Sequence, residues 1–320
     1  MRDHVNADLR PFVDLLPVVD FERASLADIR ANTSMGALEA TSGGAFNVTV
    51  TMETVPGLND NPSVQVLVYR PVDQAPPPLP AILHVHGGGY VMGSPLIMDA
   101  SNRQLSAELS CVIVSVTYRL APETVYPGAI EDCYAALSWL FKNAAELGID
   151  PSRVGIKGES AGGGLAAALA LMTRDRGEFR LVFQNLKAPM LDDRTCLRTD
   201  ISPFIGEFLW NPDQNRFGWT ALLGHPPGIE GVSPYAAPAR ATDLAGLPPT
   251  FISVGSIDLF LEEDLEYARR LAVAGVSVEL HVFPGGFHGF DMIPGAAIGA
   301  SASSASQESM RKAFASSPSP

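Results

Sequence analysis

Short apolar runs of β type alternate along this chain with longer stretches whose apolar residues recur at helical spacing, and this alternation constrains the fold more than any other feature. Ala81–Val85 and Cys111–Val116 are continuous apolar runs, the pattern of strands covered on both faces. Residues 98–109 between them read as a helix. Gly128–Leu147 follows, with Ile130, Tyr134, Leu137, Phe141 and Ala144 on one face, until Asp150-Pro151-Ser152 stops it. Val154–Lys157 reads as a short strand and Ala161–Thr173 as a small-residue helix. Leu181–Leu186, Thr250–Val254 and Val276–Phe283 are further strands. Phe260–Ala274 is a helix with Leu261, Leu265, Ala268 and Leu271 on one face. Phe46–Met52 and Val64–Tyr69 alternate apolar with polar residues, which predicts an antiparallel pair at a sheet edge. The sum is an α/β fold, a mainly parallel sheet with helices on both sides.

Two segments break the alternation. Residues 1–45 precede the first strand and look helical. Residues 192–238 carry Phe204, Phe208, Trp210, Phe217 and Trp219 among prolines and glycines, and such an insertion is usually packed over something. The 320 residues are 46% apolar and 18% charged, which is globular, and the net charge is −13. That acid excess argues against nucleic acid or an anionic membrane as partner. The longest apolar stretches, such as Leu165–Met172, are too short to span a bilayer. The start shows no secretory signal pattern, and Cys111, Cys133 and Cys196 have neither an even count nor CxxC spacing. A reduced, cytoplasmic protein with buried thiols is expected. The last few residues, in Ser-Ser-Pro-Ser-Pro, are expected to be loose.

The chemistry concentrates in three places. Gly158-Glu159-Ser160-Ala161-Gly162 is a GxSxG between a predicted strand and a predicted helix. The string alone is weak, since about 0.2 matches arise by chance in such a composition. Its context is that of a strand-to-helix turn that lifts a serine hydroxyl out of the sheet. His86-Gly87-Gly88-Gly89, directly after Ala81–Val85, has about 0.004 chance matches. Consecutive glycines offer unshielded N–H groups to a developing oxyanion, and the N–H of Ala161 would join them. His84 and His86 form an HxH, but no third ligand has suitable spacing, so no metal and no cofactor is expected.

A serine nucleophile needs a base. His225, His281 and His288 follow Ser160. His281 alternates within a strand and His225 lies in the irregular segment, whereas His288 sits in a loop just beyond the last strand, where it can reach over the sheet edge. Asp258, after Thr250–Val254, is the acid candidate, with helix N-cap as its structural alternative; Asp192 and Asp193 are in reserve.

Together, His86-Gly87-Gly88-Gly89-Tyr90, Tyr118-Arg119-Leu120-Ala121-Pro122-Glu123, Gly158-Glu159-Ser160-Ala161-Gly162-Gly163 and Gly285-Gly286-Phe287-His288-Gly289-Phe290 resemble the hormone-sensitive lipase family of α/β-hydrolase esterases. Residues 119–124 and 236–244 are most similar to its bacterial acetyl-esterase and heroin-esterase branch. The resemblance implies an α/β-hydrolase fold with a mostly parallel eight-stranded sheet. Residues 46–191 and 239–320 would form the catalytic domain, and residues 1–45 and 192–238 a helical cap. By position it implies Ser160 as nucleophile, Asp258 as acid, His288 as base, and Gly88, Gly89 and Ala161 as oxyanion donors. Glu123 would be structural. The residue before the serine is commonly Asp in this family and is Glu159 here; the acid is commonly followed by Pro and here by Leu259.

The expected activity is a serine carboxylesterase acting on small esters of short acyl chains, roughly acetyl to hexanoyl, through an acyl-enzyme. Tyr90, Phe204, Phe208, Trp210 and Trp219 are candidates to line its pocket, with core packing as their alternative reading. A lactonase, amidase or carbamate hydrolase on the same triad is the nearest alternative, and a noncatalytic receptor a remoter one. Family analogy adds a homodimer. A neutral His288 as base predicts a pH optimum above neutrality.

Overall fold

The apolar runs build one sheet. A computed structural model describes residues 2–16, 19–21, 25–31, 46–72, 77–200 and 202–316. Eight strands are present: β1 Val48–Val55, β2 Val64–Pro71, β3 Leu79–Val85, β4 Val112–Thr117, β5 Ile149–Glu159, β6 Gln184–Lys187, β7 Thr250–Gly255 and β8 Val278–Phe283. Their order is β1-β2-β4-β3-β5-β6-β7-β8. Only β2 runs against its neighbours; every pairing from β4 to β8 is parallel. The predicted antiparallel edge pair is therefore β1 and β2. This is the α/β-hydrolase architecture.

Helix α1 covers residues 26–31. It is followed by α2 Asp99–Leu109, α3 Gly128–Lys142, α4 Ala161–Arg176, α5 Pro212–Leu223, α6 Leu261–Val273 and α7 Ala297–Ala315. The central strand β3 is buried along its whole length, as its continuous apolar run requires. The larger core cluster lies between the sheet and α3, α4 and α6; a smaller one lies under α2 and α7, around Tyr69, Ile113, Phe183 and Phe314.

Several boundaries differ from the sequence reading. α3 stops at Lys142 rather than Leu147, because Asn143 folds back and its side chain donates to the Trp139 carbonyl at 2.8 Å. Asp150-Pro151-Ser152 lies inside β5 rather than before it. Asp150 Oδ1 accepts the Ser152 N–H at 2.9 Å, which shapes an irregularity that the strand passes through. α6 buries Ala268 and Leu271 of its predicted face, but Leu265 is exposed, and Glu263, Asp264 and Tyr267 are buried in addition. α7 was not foreseen at all. Its buried residues are Gly299 and a stripe of Ile298, Ala302, Ser306, Met310 and Phe314 at every fourth position, but two of that stripe are Ala and Ser, so it is faint in sequence. Residues 317–320, expected to be loose, lie outside the described residues.

Among its described residues, the N-terminal stretch is less helical than predicted. Its described residues form two 3-10 turns, Arg2–His4 and Arg10–Leu15, and α1; residues 32–45 lie outside the description. Val5 and Leu9 are buried against Phe283, Phe287 and Phe290. Asn6 adds two hydrogen bonds, from its N–H to the Gly285 carbonyl at 3.0 Å and from its side chain to the Pro284 carbonyl at 3.1 Å. In the 192–238 segment, α5 starts at a capping box. Asn211 accepts from the Gln214 N–H, and the Gln214 side chain accepts from the Asn211 N–H, each at 2.9 Å. Gln214 also donates to the Val19 carbonyl at 2.6 Å, tying this segment to the N-terminal one. Cys111, Cys133 and Cys196 are buried and unpaired. Among the described residues, no helix is long and apolar enough to cross a membrane.

Candidate active site

Ser160 occupies the sharp turn between β5 and α4. Its backbone is left-handed, with φ 55° and ψ −123°, a costly conformation for a serine. The turn is held by hydrogen bonds on both sides. Its N–H donates to the Lys187 carbonyl at 2.9 Å, and its carbonyl accepts from Gly164 and Met190 at 3.0 Å each. The small flanking residues are a steric requirement: a Cβ on Gly162 would lie 2.1 Å from the Val85 carbonyl oxygen, so α4 can approach β3 only as glycine.

The loops after β7 and β8 bring the other two predicted residues to this turn. They are stitched together by the Ile257 N–H on the Gly286 carbonyl at 3.1 Å and the Gly285 N–H on Ser256 Oγ at 2.8 Å. The Ser160 hydroxyl donates to His288 Nε2 at 2.9 Å, and His288 Nδ1–H donates to Asp258 Oδ2 at 2.9 Å. Asp258 Oδ1 accepts the Phe260 N–H at 2.9 Å, so the carboxylate orients the ring with one oxygen and braces the start of α6 with the other. Asp258 is 1% exposed and His288 7%. Phe260 meets the His288 ring edge-on at 5.1 Å. The reserve acids are engaged elsewhere: both oxygens of buried Asp193 pair with Arg240, at 2.6 and 2.8 Å, and Asp192 pairs with Arg194. His281 packs between Phe251 and Phe283 on β8, and His225 contacts the Pro226 carbonyl.

The glycine loop follows β3, and its N–H groups at Gly88 and Gly89 donate to no described residue; nor does that of Ala161. Gly89 has φ 59°, and a Cβ there would meet the Trp210 ring at 2.2 Å. Both histidines of the HxH are buried where β3 runs into this loop. His86 stacks on Tyr118 at 4.2 Å, and burial lowers its pKa to about 3, so the ring is neutral. His84 is also held well below the usual histidine range, by burial first and then by the charges of Lys157 and Lys187. Its Nδ1 meets Ser115 Oγ at 2.7 Å and its Nε2 meets Glu159 at 2.9 Å. Among the described residues, no three His, Cys, Asp or Glu side chains gather to hold a metal ion.

A cavity of about 620 Å³ opens over Ser160 and His288, walled by Gly87–Gly89, Trp210, Phe287 and Phe290. Of the five aromatic candidates, only Trp210 faces it. Tyr90 is buried, its hydroxyl on the Met190 carbonyl at 3.0 Å and its ring against Trp219, which is itself fully buried. Phe204 is exposed on the surface beside His4, and Phe208 packs on Phe287. An aromatic residue serves a core as well as a pocket, so residue type could not separate these roles. Sequence reading also missed Leu16, Val19 and Ile29 of the N-terminal stretch, Ile97 and Met98, and the charged residues Lys187 and Asp291, all of which line the cavity. Only the last two carried a signal, as ionisable side chains beside apolar elements. A separate groove around Arg194, Arg198, Glu262 and Arg270 lies away from Ser160, and its charges are taken up by pairs such as Arg198–Glu262.

Residues 82–292 match a family of the alpha/beta hydrolase fold, and the chain belongs to it. The match accords with the resemblance to hormone-sensitive-lipase-type esterases. The chain is 40% identical over 220 residues to carboxylesterase NlhH of Mycobacterium tuberculosis, spanning 66% of each protein, and 33% identical over 285 residues to carboxylic ester hydrolase LipN of the same organism, spanning 87% of this chain and 72% of that one. Among solved structures it superposes on a bacterial heroin esterase with a TM-score of 0.93, at 39% identity and 98% coverage of both chains. Esterase LipW from Mycobacterium marinum gives a TM-score of 0.88 at 34% identity, over 98% of this chain and 97% of that one.

Proposed function

We propose that this protein is a serine carboxylesterase acting on small esters of short acyl chains. The observation that carries the reading is the unbroken chain of hydrogen bonds from Ser160 through His288 to Asp258, with Ser160, His288, Gly88 and Gly89 on the wall of one cavity and the N–H groups of Gly88, Gly89 and Ala161 unused. In this reading Ser160 Oγ attacks the ester carbonyl carbon as its proton passes to His288 Nε2. The carbonyl oxygen becomes an oxyanion in reach of the three N–H groups, each worth about 3 kcal/mol of barrier. The tetrahedral adduct collapses, the imidazolium returns its proton to the departing alcohol, and an acyl-Ser160 ester remains. Water, deprotonated by the same imidazole, then releases the carboxylic acid and restores Ser160. Asp258 stays ionised and holds the ring with Nδ1 protonated.

Residues 1–45 and 192–238 act as a cap over this cavity. Leu16, Val19 and Ile29 from the first and Trp210 from the second supply its outer wall, which supports that division. The buried, unpaired cysteines favour a cytoplasmic setting, and the family resemblance a homodimer.

The test is the initial rate of hydrolysis of p-nitrophenyl esters from acetate to decanoate by the wild type and Ser160→Ala. The expected result is a maximum at short chains and a loss of about 10⁴-fold or more in the variant. A maximum at long chains would overturn the acyl-length reading, and equal rates in the two proteins would overturn Ser160 as nucleophile.

A further inference from the structure

We propose that Lys187 and Asp291 form a hydroxyl-binding subsite on the floor of the cavity, and that the preferred esters carry a hydroxyl group on the arm that reaches it. The inference rests on the esterase reading of Ser160. β6 ends at Lys187, whose carbonyl accepts the Ser160 N–H, so its side chain is rooted beside the proposed nucleophile. Its ammonium donates to Asp291 Oδ2 at 2.9 Å, and both residues line the same cavity as Ser160 and His288. The strand neighbours of Lys187, Glu159 and Ser253, share the lining, and Ile97, Met98, Met292 and Ile293 supply apolar parts of it. A plain alkyl arm would fill that space and leave the ion pair desolvated against methyl groups, which is costly.

The pair has bonding capacity to spare. A lysine ammonium has three donors, and among the described residues only Asp291 accepts from this one. No other described side chain donates to Asp291. Lys187 is paired with Asp291 and Glu159 takes Lys157, His84 is neutral, and Asp20 also lines the cavity, so its wall carries more carboxylates than ammonium groups. An anionic substrate group would therefore meet more repulsion than attraction. A carbonyl could use only the lysine and an ammonium only the aspartate. A hydroxyl uses both, accepting from Lys187 and donating to Asp291. A site with buried polar groups of this kind discriminates strongly against the analogue that lacks the partner.

The test compares kcat/KM within isosteric pairs: methyl 3-hydroxybutyrate against methyl 3-methylbutyrate for the acyl arm, and 3-hydroxypropyl acetate against butyl acetate for the alcohol arm. The expected result is a preference of about tenfold or more for the hydroxy ester in one pair, falling to about one in Lys187→Met and in Asp291→Leu. If Lys187→Met does not fold, Asp291→Leu carries the same comparison. A wild-type ratio at or below one in both pairs would overturn the subsite. So would a ratio unchanged in the variants, or a stronger preference for the carboxylate-bearing monomethyl succinate. Turnover of plain esters without preference sinks only this inference; no turnover of any ester, p-nitrophenyl acetate included, sinks the esterase reading with it.

Discussion

His84 Nε2 lies 2.9 Å from the carboxylate of Glu159, the residue immediately before Ser160. That carboxylate also takes the ammonium of Lys157, whose side chain is 2% exposed. The departure from the commoner Asp at this position thus belongs to a buried set of partners that spans β3 and β5 beneath the proposed nucleophile. Removing Glu159 would leave the buried Lys157 amine, which burial already pushes well below the usual lysine range, without its carboxylate partner. Glu159→Ala should cost about 3–5 kcal/mol of stability, read as a shift in urea midpoint at unchanged slope. The pair Lys157→Met with Glu159→Leu should recover most of it, since it leaves no charge behind.

Asp258→Asn keeps an oxygen for the Phe260 N–H and loses the carboxylate that orients His288. The fold should survive, and kcat on p-nitrophenyl acetate should fall about 10⁴-fold, the loss known for this change in Ser-His-Asp hydrolases. Loss of activity together with loss of the folded circular-dichroism spectrum would count against an orienting role.

Arg30 pins the N-terminal stretch to the body. It grips Glu123 through two hydrogen bonds of 2.8 Å and donates to the Val91 carbonyl at 2.7 Å and the Ala121 carbonyl at 2.8 Å. The Arg30 hydrogen bonds hold the Glu123 carboxyl down at about 2. A depressed carboxylate contributes its stability above the ordinary glutamate range and loses it as pH falls through the folded value. The stability gap between wild type and Arg30→Ala should therefore be flat above about pH 5 and shrink on descent toward pH 2. Glu123 is exposed, so the gap is small and salt-sensitive. Thermal unfolding of both proteins across that range measures it.

Trp210 closes the cavity over Gly89, its ring 6.4 Å from that of His288 and its Nε1–H donating to Asn215 at 3.2 Å. Trp210→Phe should enlarge the pocket and move the optimum of a p-nitrophenyl ester series to longer acyl chains. A series with an unmoved optimum would exclude Trp210 from setting acyl length.

The sequence by itself determined the architecture and pointed to Ser160, His288 and Asp258, which the fold brings into one hydrogen-bonded chain. Both are written in local patterns. A continuous apolar run can be satisfied only between two covering layers, and a serine between glycines at a strand-to-helix turn leaves the backbone little choice. The tertiary structure decided everything that depends on which face of an element turns inward. α7 hides its stripe in Ala302 and Ser306, and α6 buries Glu263 and Asp264 where periodicity pointed to Leu265. The pocket lining shows the same limit. Trp210 faces the cavity while Tyr90 and Trp219 pack beneath it, and Lys187 and Asp291, 104 residues apart, meet on its floor. Side-chain type records how much surface a residue must bury or pair. Against which partner it does so is set by contacts between distant segments, and these exist only in the folded chain.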